Sequence, residues 1–249
     1  MKFNKSVIDI LEKDIELIED EQVRLWSRNY LFGHIKHYNG ILSQLNKAIA
    51  LNDPRSILEI GGVPGQLTSF IKMNGIDIEM VDIAPERIER ILNKQQIKNY
   101  KVDIEKEVLP IESEKFDIVL FNEVFEHLHI NPLKVLGEIK RVLSKNGLLL
   151  MSVPNINPLM RWRFLFGKDF NDNLREEFSK VERIGHMGHF RLYSKEEVIN
   201  LLKEFDFSIV DISYLGKYYD KKDSLLGIFK LLFKNKMRNQ LHIIARKSN

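Results

Sequence analysis

Ile57-Leu58-Glu59-Ile60-Gly61-Gly62-Val63-Pro64-Gly65 is the stretch that decides the fold. A short β-prone run enters a glycine-rich turn, and Leu67 and Ile71 then take up helical spacing. A strand that passes into a helix through bare backbone is the opening unit of a parallel α/β sheet, where a ligand can approach main chain at the carboxyl edge. The dinucleotide fingerprint would need glycine at three positions, but Val63 and Gln66 stand at two of them. Glu59 at the strand end would repel a pyrophosphate and suits a cationic ligand better.

Downstream, short apolar runs alternate with helix-length segments. IDIEMVDI (76–83) precedes a helix begun by Pro85, and NYKVDI (99–104) and FDIVLFN (116–122) precede a helix from about Pro132 to Leu143. GLLLMSVPN (147–155), a helix from about Ser194 to Phe205, FSIVDISYL (207–215) and LHIIARK (241–247) complete the series. Seven strands separated by helices imply right-handed crossovers and a largely parallel sheet covered on both faces. The expected class is α/β, Rossmann-like. Ser194-Lys-Glu-Glu197 forms a capping box for its helix.

Upstream, Val7, Ile8, Leu11, Ile15 and Ile18, then Ile41, Leu45 and Ala48, predict a helical cover over 1–54, stopped by Asn52-Asp53-Pro54. The main domain then occupies 55–249 within one structural unit, and 155–193 and 216–239 fall outside its alternation as cover or substrate-side insertions. The chain of 249 residues has no cysteine, which excludes disulfides, thiolate metal sites and a cysteine nucleophile. No apolar run is long enough for a bilayer span and acidic residues interrupt the N-terminus early, so the cytoplasm is the expected compartment. A formal net charge of +3 is too mild to argue for nucleic acid.

The acids at the strand ends carry the chemistry. Asp82 lies 21 positions after Gly61, the spacing that sets a carboxylate beside a ribose. Asp103 ends the third run, and the fourth enters Asn122-Glu123-Val124-Phe125-Glu126-His127-Leu128. A single strand-end acid is usually a turn or helix cap; four at one edge are hard to assign to caps.

ILEIGGVPG, EMVDIAP, KVDIE, FDIVLFNEVFEHL and GLLLMSVPN together resemble the class I S-adenosylmethionine methyltransferases, within them the branch of ubiquinone-biosynthesis O-methyltransferases and glycan methyltransferases. The resemblance implies a last strand antiparallel to the rest. It also implies that Glu59, Gly61, Gly62 and Gly65 line the methionine part of the cofactor, Asp82 and Ile83 the ribose, Asp103 and Ile104 the adenine, and Asn122 the sulfonium end. That family carries glycine where Val63 stands, so a Cβ there would narrow the pocket; a cofactor-binding protein without catalysis is the corresponding alternative.

Methyl transfer from a sulfonium is an in-line displacement, and a hydroxyl acceptor must also lose a proton. Glu123, Glu126 and His127 are the candidate catalytic residues, the two acids sharing a face if the turn is helical. His186 and His189 occur in the later segment Arg183-Ile-Gly-His-Met-Gly-His-Phe-Arg191 as candidate substrate contacts. Glu123, Glu126, His127 and His186 also make a sensible divalent-cation set, of the kind that some ubiquinone-type and small-RNA 2′-O-methyltransferases use. The ordinary reading of the same residues is a cation-free base and substrate contacts. His34, His37, His129 and His242 are expected at the surface or in packing.

Arg161 and Trp162, in a run of alternating arginines and aromatics, could contact the acceptor or simply pack and be solvated. Residues 224–238 would form a basic amphipathic helix, suited to covering the domain or to peripheral contact with the inner face of a membrane. The leading expectation is transfer to a hydroxyl of a small molecule or glycan, one that could be lipid-linked. A metal-dependent RNA 2′-O-methyltransferase is the alternative within the reaction class.

Overall fold

The computed structural model describes residues 1–156, 175, 189, 191–218 and 238–248. The run 158–166, with Arg161 and Trp162, and also His186 and 224–237, lie outside the described residues.

Two helices lead. α1 (Lys5–Ile15) starts where the Asn4 side chain accepts from the Val7 amide. α2 (Glu21–Asn52) starts where Asp20 accepts from Gln22 and Val23, and it ends on Asp53 in a left-handed conformation. The helical expectation for the N-terminus holds, with a break between the two caps.

The sheet strands are β1 (Ile57–Ile60), β2 (Ile78–Asp82), β3 (Asn99–Lys101), β4 (Phe116–Asn122), β5 (Leu143–Pro154), β6 (Phe207–Tyr218) and β7 (Arg238–Lys247). Their order is β3-β2-β1-β4-β5-β7-β6. β1 pairs parallel with β2 and β4, whereas β7 runs antiparallel to both β5 and β6. The connecting helices are α3 (Gln66–Met73), α4 (Glu89–Lys94), α5 (Pro132–Val142) and α6 (Lys195–Glu204). The helix expected from Pro85 begins as a 3-10 turn over Pro85–Ile88 and becomes α-helical only at Glu89. The capping box forms at Ser194, as its sequence implies.

Period-two burial explains the three layers. Leu58, Val119, Phe121, Leu149 and Met151 point to one face, where Val135, Leu136 and Ile139 of α5 and Val198 and Leu202 of α6 cover them. Ile57, Ile118, Leu120, Leu148 and Leu150 point to the other, under Leu11, Ile15, Ile41, Leu45, Phe70 and Ile71. Burying each such side chain contributes about 1.5–3 kcal/mol. The N-terminal helices therefore share the core of the sheet. Strand order reverses between β1 and β4, so the crevice at their carboxyl ends is where an open α/β sheet takes a ligand. Among the described residues no helix is long and apolar enough to cross a membrane.

Candidate active site

The turn after β1 places its left-handed residues at Gly61 (φ 76°) and Gly65 (φ 83°). A Cβ at Gly61 would strike Val124, one at Gly62 would strike Met80, and one at Gly65 would come within 2.6 Å of Ile88. These three glycines keep the turn against the sheet and leave its backbone bare. Val63 needs no such conformation, and its side chain packs with the apolar layer beneath α2. Its amide donates to Asp82 Oδ2 at 2.9 Å, and Ala84 donates to Oδ1 at 2.9 Å. Asp82 thus fixes the turn from the end of β2.

Glu59 is buried in β1 and accepts a hydrogen bond from the Thr68 hydroxyl of α3. Burial, only partly offset by that bond, pushes its carboxyl up to about 8, and the Asp82 charge adds to the rise. A buried acid with no cation among the described residues suits a positively charged ligand. Ile83 is exposed just past β2. Asp103 is more occupied than its expected adenine role requires: Oδ2 lies 2.8 Å from Lys106 Nζ and Oδ1 accepts from the Glu105 amide. Desolvation would raise its carboxyl, but these partners hold it below the usual range. Ile104 packs at the margin of the core, and the Asn122 amide nitrogen is buried with no acceptor among the described residues.

Beyond β4 the two acids diverge. Glu123 takes a left-handed conformation (φ 54°) and precedes the 3-10 turn Phe125–His127, so Glu123 and Glu126 do not share a helical face. Glu123 turns toward β5, where Ser152 Oγ donates to it at 2.9 Å. Glu126 is fully buried, and neither of its carboxylate oxygens has a hydrogen-bond partner among the described residues. Burial, and then the Glu123 charge, hold its carboxyl well above the ordinary range. The ligand atoms of Glu126, His127 and His189 lie within 4.8 Å of one another. Among the described residues this cluster includes Glu126 and His127 of the set named from sequence, together with His189 but without Glu123, and His186 lies outside the described residues.

Neighbouring segments build this arrangement. Glu105 Oε1 accepts from the amides of His129, Ile130 and Asn131, which ties down the loop after the turn. The Arg191 amide donates to the Glu126 carbonyl, and the Phe125 and Tyr193 rings pack in a tilted pair with centroids 4.7 Å apart.

The sequence reading missed what α2 contributes. Its Tyr30 ring stacks on His34 at 3.9 Å, and Trp26 lies 5.7 Å away on the other side. Burial, and then the charges of Glu123, Glu126 and Glu59, raise the Tyr30 hydroxyl, so this face of α2 overlooks all three carboxylates. Trp26, Tyr30 and His34 recur every four residues, a polar-aromatic stripe that could have marked α2 as more than a cover. Of the four histidines expected at the surface or in packing, His37 and His242 are buried, and burial followed by the proximity of His37 depresses His242 to about 3.

A sheet in this order, with a bare glycine turn after its first strand and an acid ending its second, has the fold of the S-adenosylmethionine-dependent methyltransferases. The chain belongs to the methyltransferase domain family, whose model matches residues 34–212. No curated protein matches it in sequence. Similar solved structures include an S-adenosylmethionine-dependent methyltransferase from Archaeoglobus fulgidus, with TM-score 0.59, 18% identity and coverage of 88% of this chain and 99% of that one. Another, from Thermotoga maritima, has TM-score 0.58, 20% identity and coverage of 96% and 99%. A third is the Burkholderia thailandensis 1,6-didemethyltoxoflavin N1-methyltransferase, solved with its substrate and S-adenosylhomocysteine, with TM-score 0.57, 16% identity and coverage of 100% and 92%.

Proposed function

We propose that this methyltransferase moves a methyl group from S-adenosylmethionine to a hydroxyl of a small molecule or glycan at the carboxyl edge of β1 and β4. The observation that carries the reading is Glu126, fully buried beside His127 and His189 and without a hydrogen-bond partner among the described residues. A buried acid in that state costs stability and is retained where a ligand or a proton uses it.

The donor supplies a methyl already activated on a sulfonium, and the residues present fit it: bare glycine backbone, Glu59 for positive charge, and Asp82 for a ribose diol. The protein's work is to hold acceptor oxygen and methyl in line and to exclude water. With the donor bound, His127 or Glu126 would take the hydroxyl proton as the acceptor oxygen received the methyl group. Glu126, His127 and His189 also fit a divalent cation, which would lower the pKa of the acceptor hydroxyl.

A mass-spectrometric screen of hydroxyl, amine and carbon acceptors tests the reading. O-methylated product is expected, and Glu126→Gln should cut the rate by about 10²–10⁴-fold. Transfer confined to nitrogen or carbon would remove the hydroxyl assignment. Full activity after chelation would leave the cation out and His127 as the base.

A further inference from the structure

We propose that Gln240 is a positioning residue that clamps α2 to β7 through His37 and so holds the Tyr30–His34 face beside the glycine turn. The inference rests on the proposed reading of this edge as the donor's site.

The sheet face beneath α2 is apolar along Ile118, Leu120, Leu148, Leu150 and Ile244. Towards the carboxyl edge it becomes polar while staying buried, at Ser152, Gln240 and His242. The register aligns these, with Ser152 opposite His242 and Gln240 opposite Pro154. His37 of α2 is buried against Gln240 and His242, and Gln44 of the same helix is buried as well. Stability alone does not favour such a wedge, since each buried polar group left short of partners costs about 1–3 kcal/mol. Three are short among the described residues: Gln44 Oε1, Gln240 Oε1 and His242 Nε2.

Gln240 joins the catalytic edge to the helix. Its amide nitrogen bonds His37 Nδ1, and its side chain lies beside Glu123. With the amide nitrogen donating, His37 accepts at Nδ1 and carries its own proton on Nε2. Positions 30, 34 and 37 share one face of α2, with ring centroids 3.9 Å apart between Tyr30 and His34 and 6.1 Å between His34 and His37. The same stretch of helix meets the glycine turn's neighbour, since Gln66 bonds both the Ser27 carbonyl and the Tyr38 hydroxyl. Anchoring His37 therefore sets how closely the Tyr30 face sits to the donor's turn.

Gln240→Met keeps the volume and removes the amide donor; His37→Leu removes the partner. Titration calorimetry with S-adenosylhomocysteine, ¹⁵N NMR of the histidine rings and thermal melts read the outcome. The wild type should show His37 in the Nε2–H form. Each single variant should bind S-adenosylhomocysteine about tenfold more weakly, and the double variant no more weakly than either single one. Release of His37 into a tautomer mixture in Gln240→Met is the signature that mere loss of packing would not give. Unchanged affinity in both single variants, or losses that multiply in the double variant, would overturn the clamp. Absence of binding by the wild type would instead sink the proposed function.

Discussion

Asp82→Ala and Gly61→Arg should each weaken donor binding by at least a hundredfold, about 2.7 kcal/mol, in calorimetry with S-adenosylmethionine. Asp82 accepts from two backbone amides of the turn region, Val63 and Ala84, and both would lose that acceptor. An unsatisfied donor costs about 1–3 kcal/mol, and the contact with the ribose goes as well. Gly61 has φ 76° and faces Val124, so any side chain there is strained and displaces the turn. Melting curves on the same samples should show a folded protein, since the apolar layers on either face of the sheet do not include these residues. If both variants hold the donor as tightly as the parent, the pocket is elsewhere.

The second large effect concerns Glu59. Its carboxyl is raised in the folded chain to about 8 from an ordinary 4.5, so the folded state binds the proton more tightly than the unfolded chain does. The stabilisation from that proton is complete below the unfolded value and is lost as pH climbs through about 8. At 1.36 kcal/mol per unit the full swing is on the order of 3–5 kcal/mol. Denaturant titrations of the ligand-free protein between pH 5 and pH 9 should show this decline on going alkaline, and Glu59→Gln should reduce it, leaving the share that comes from the raised Glu123 and Glu126. A positively charged donor beside Glu59 draws the proton off. Binding of S-adenosylmethionine near neutral pH should therefore release a proton, visible as a heat that varies with the buffer's ionisation enthalpy. A flat pH profile in the parent would show that Glu59 titrates normally.

Why some of this was readable from sequence and some was not follows from the range of the forces involved. The strands of the sheet centre are buried on both faces, so FDIVLFN and GLLLMSVPN are continuous apolar runs that hardly admit another reading. The capping box at Ser194 is equally local. Strand-end acids follow from topology, since each parallel strand returns to the same edge. Glu123 was not legible in its conformation, because nothing in Asn-Glu-Val signals a left-handed residue other than glycine. Val63 looked like an obstruction because family pattern assigns glycine there, but the side chain's direction is set by the layer under α2. Tyr30 joins the site only through the course of α2 across the sheet edge, which no periodicity encodes. Gln240 and His37 meet across 203 residues of chain, far beyond any spacing rule.

That last separation bears on how the protein matures. β7 follows the other six strands in the chain, yet it lies inside the sheet between β5 and β6, and it brings Gln240 to a helix residue made 203 positions earlier. A ribosome-bound chain ending before Arg238 would have its glycine turn and every acid of the cleft, but a gap in the sheet where the antiparallel strand belongs. Donor recognition should therefore wait until this ten-residue strand has been made and slots in. Nascent fragments stalled ahead of it should be ready prey for proteases.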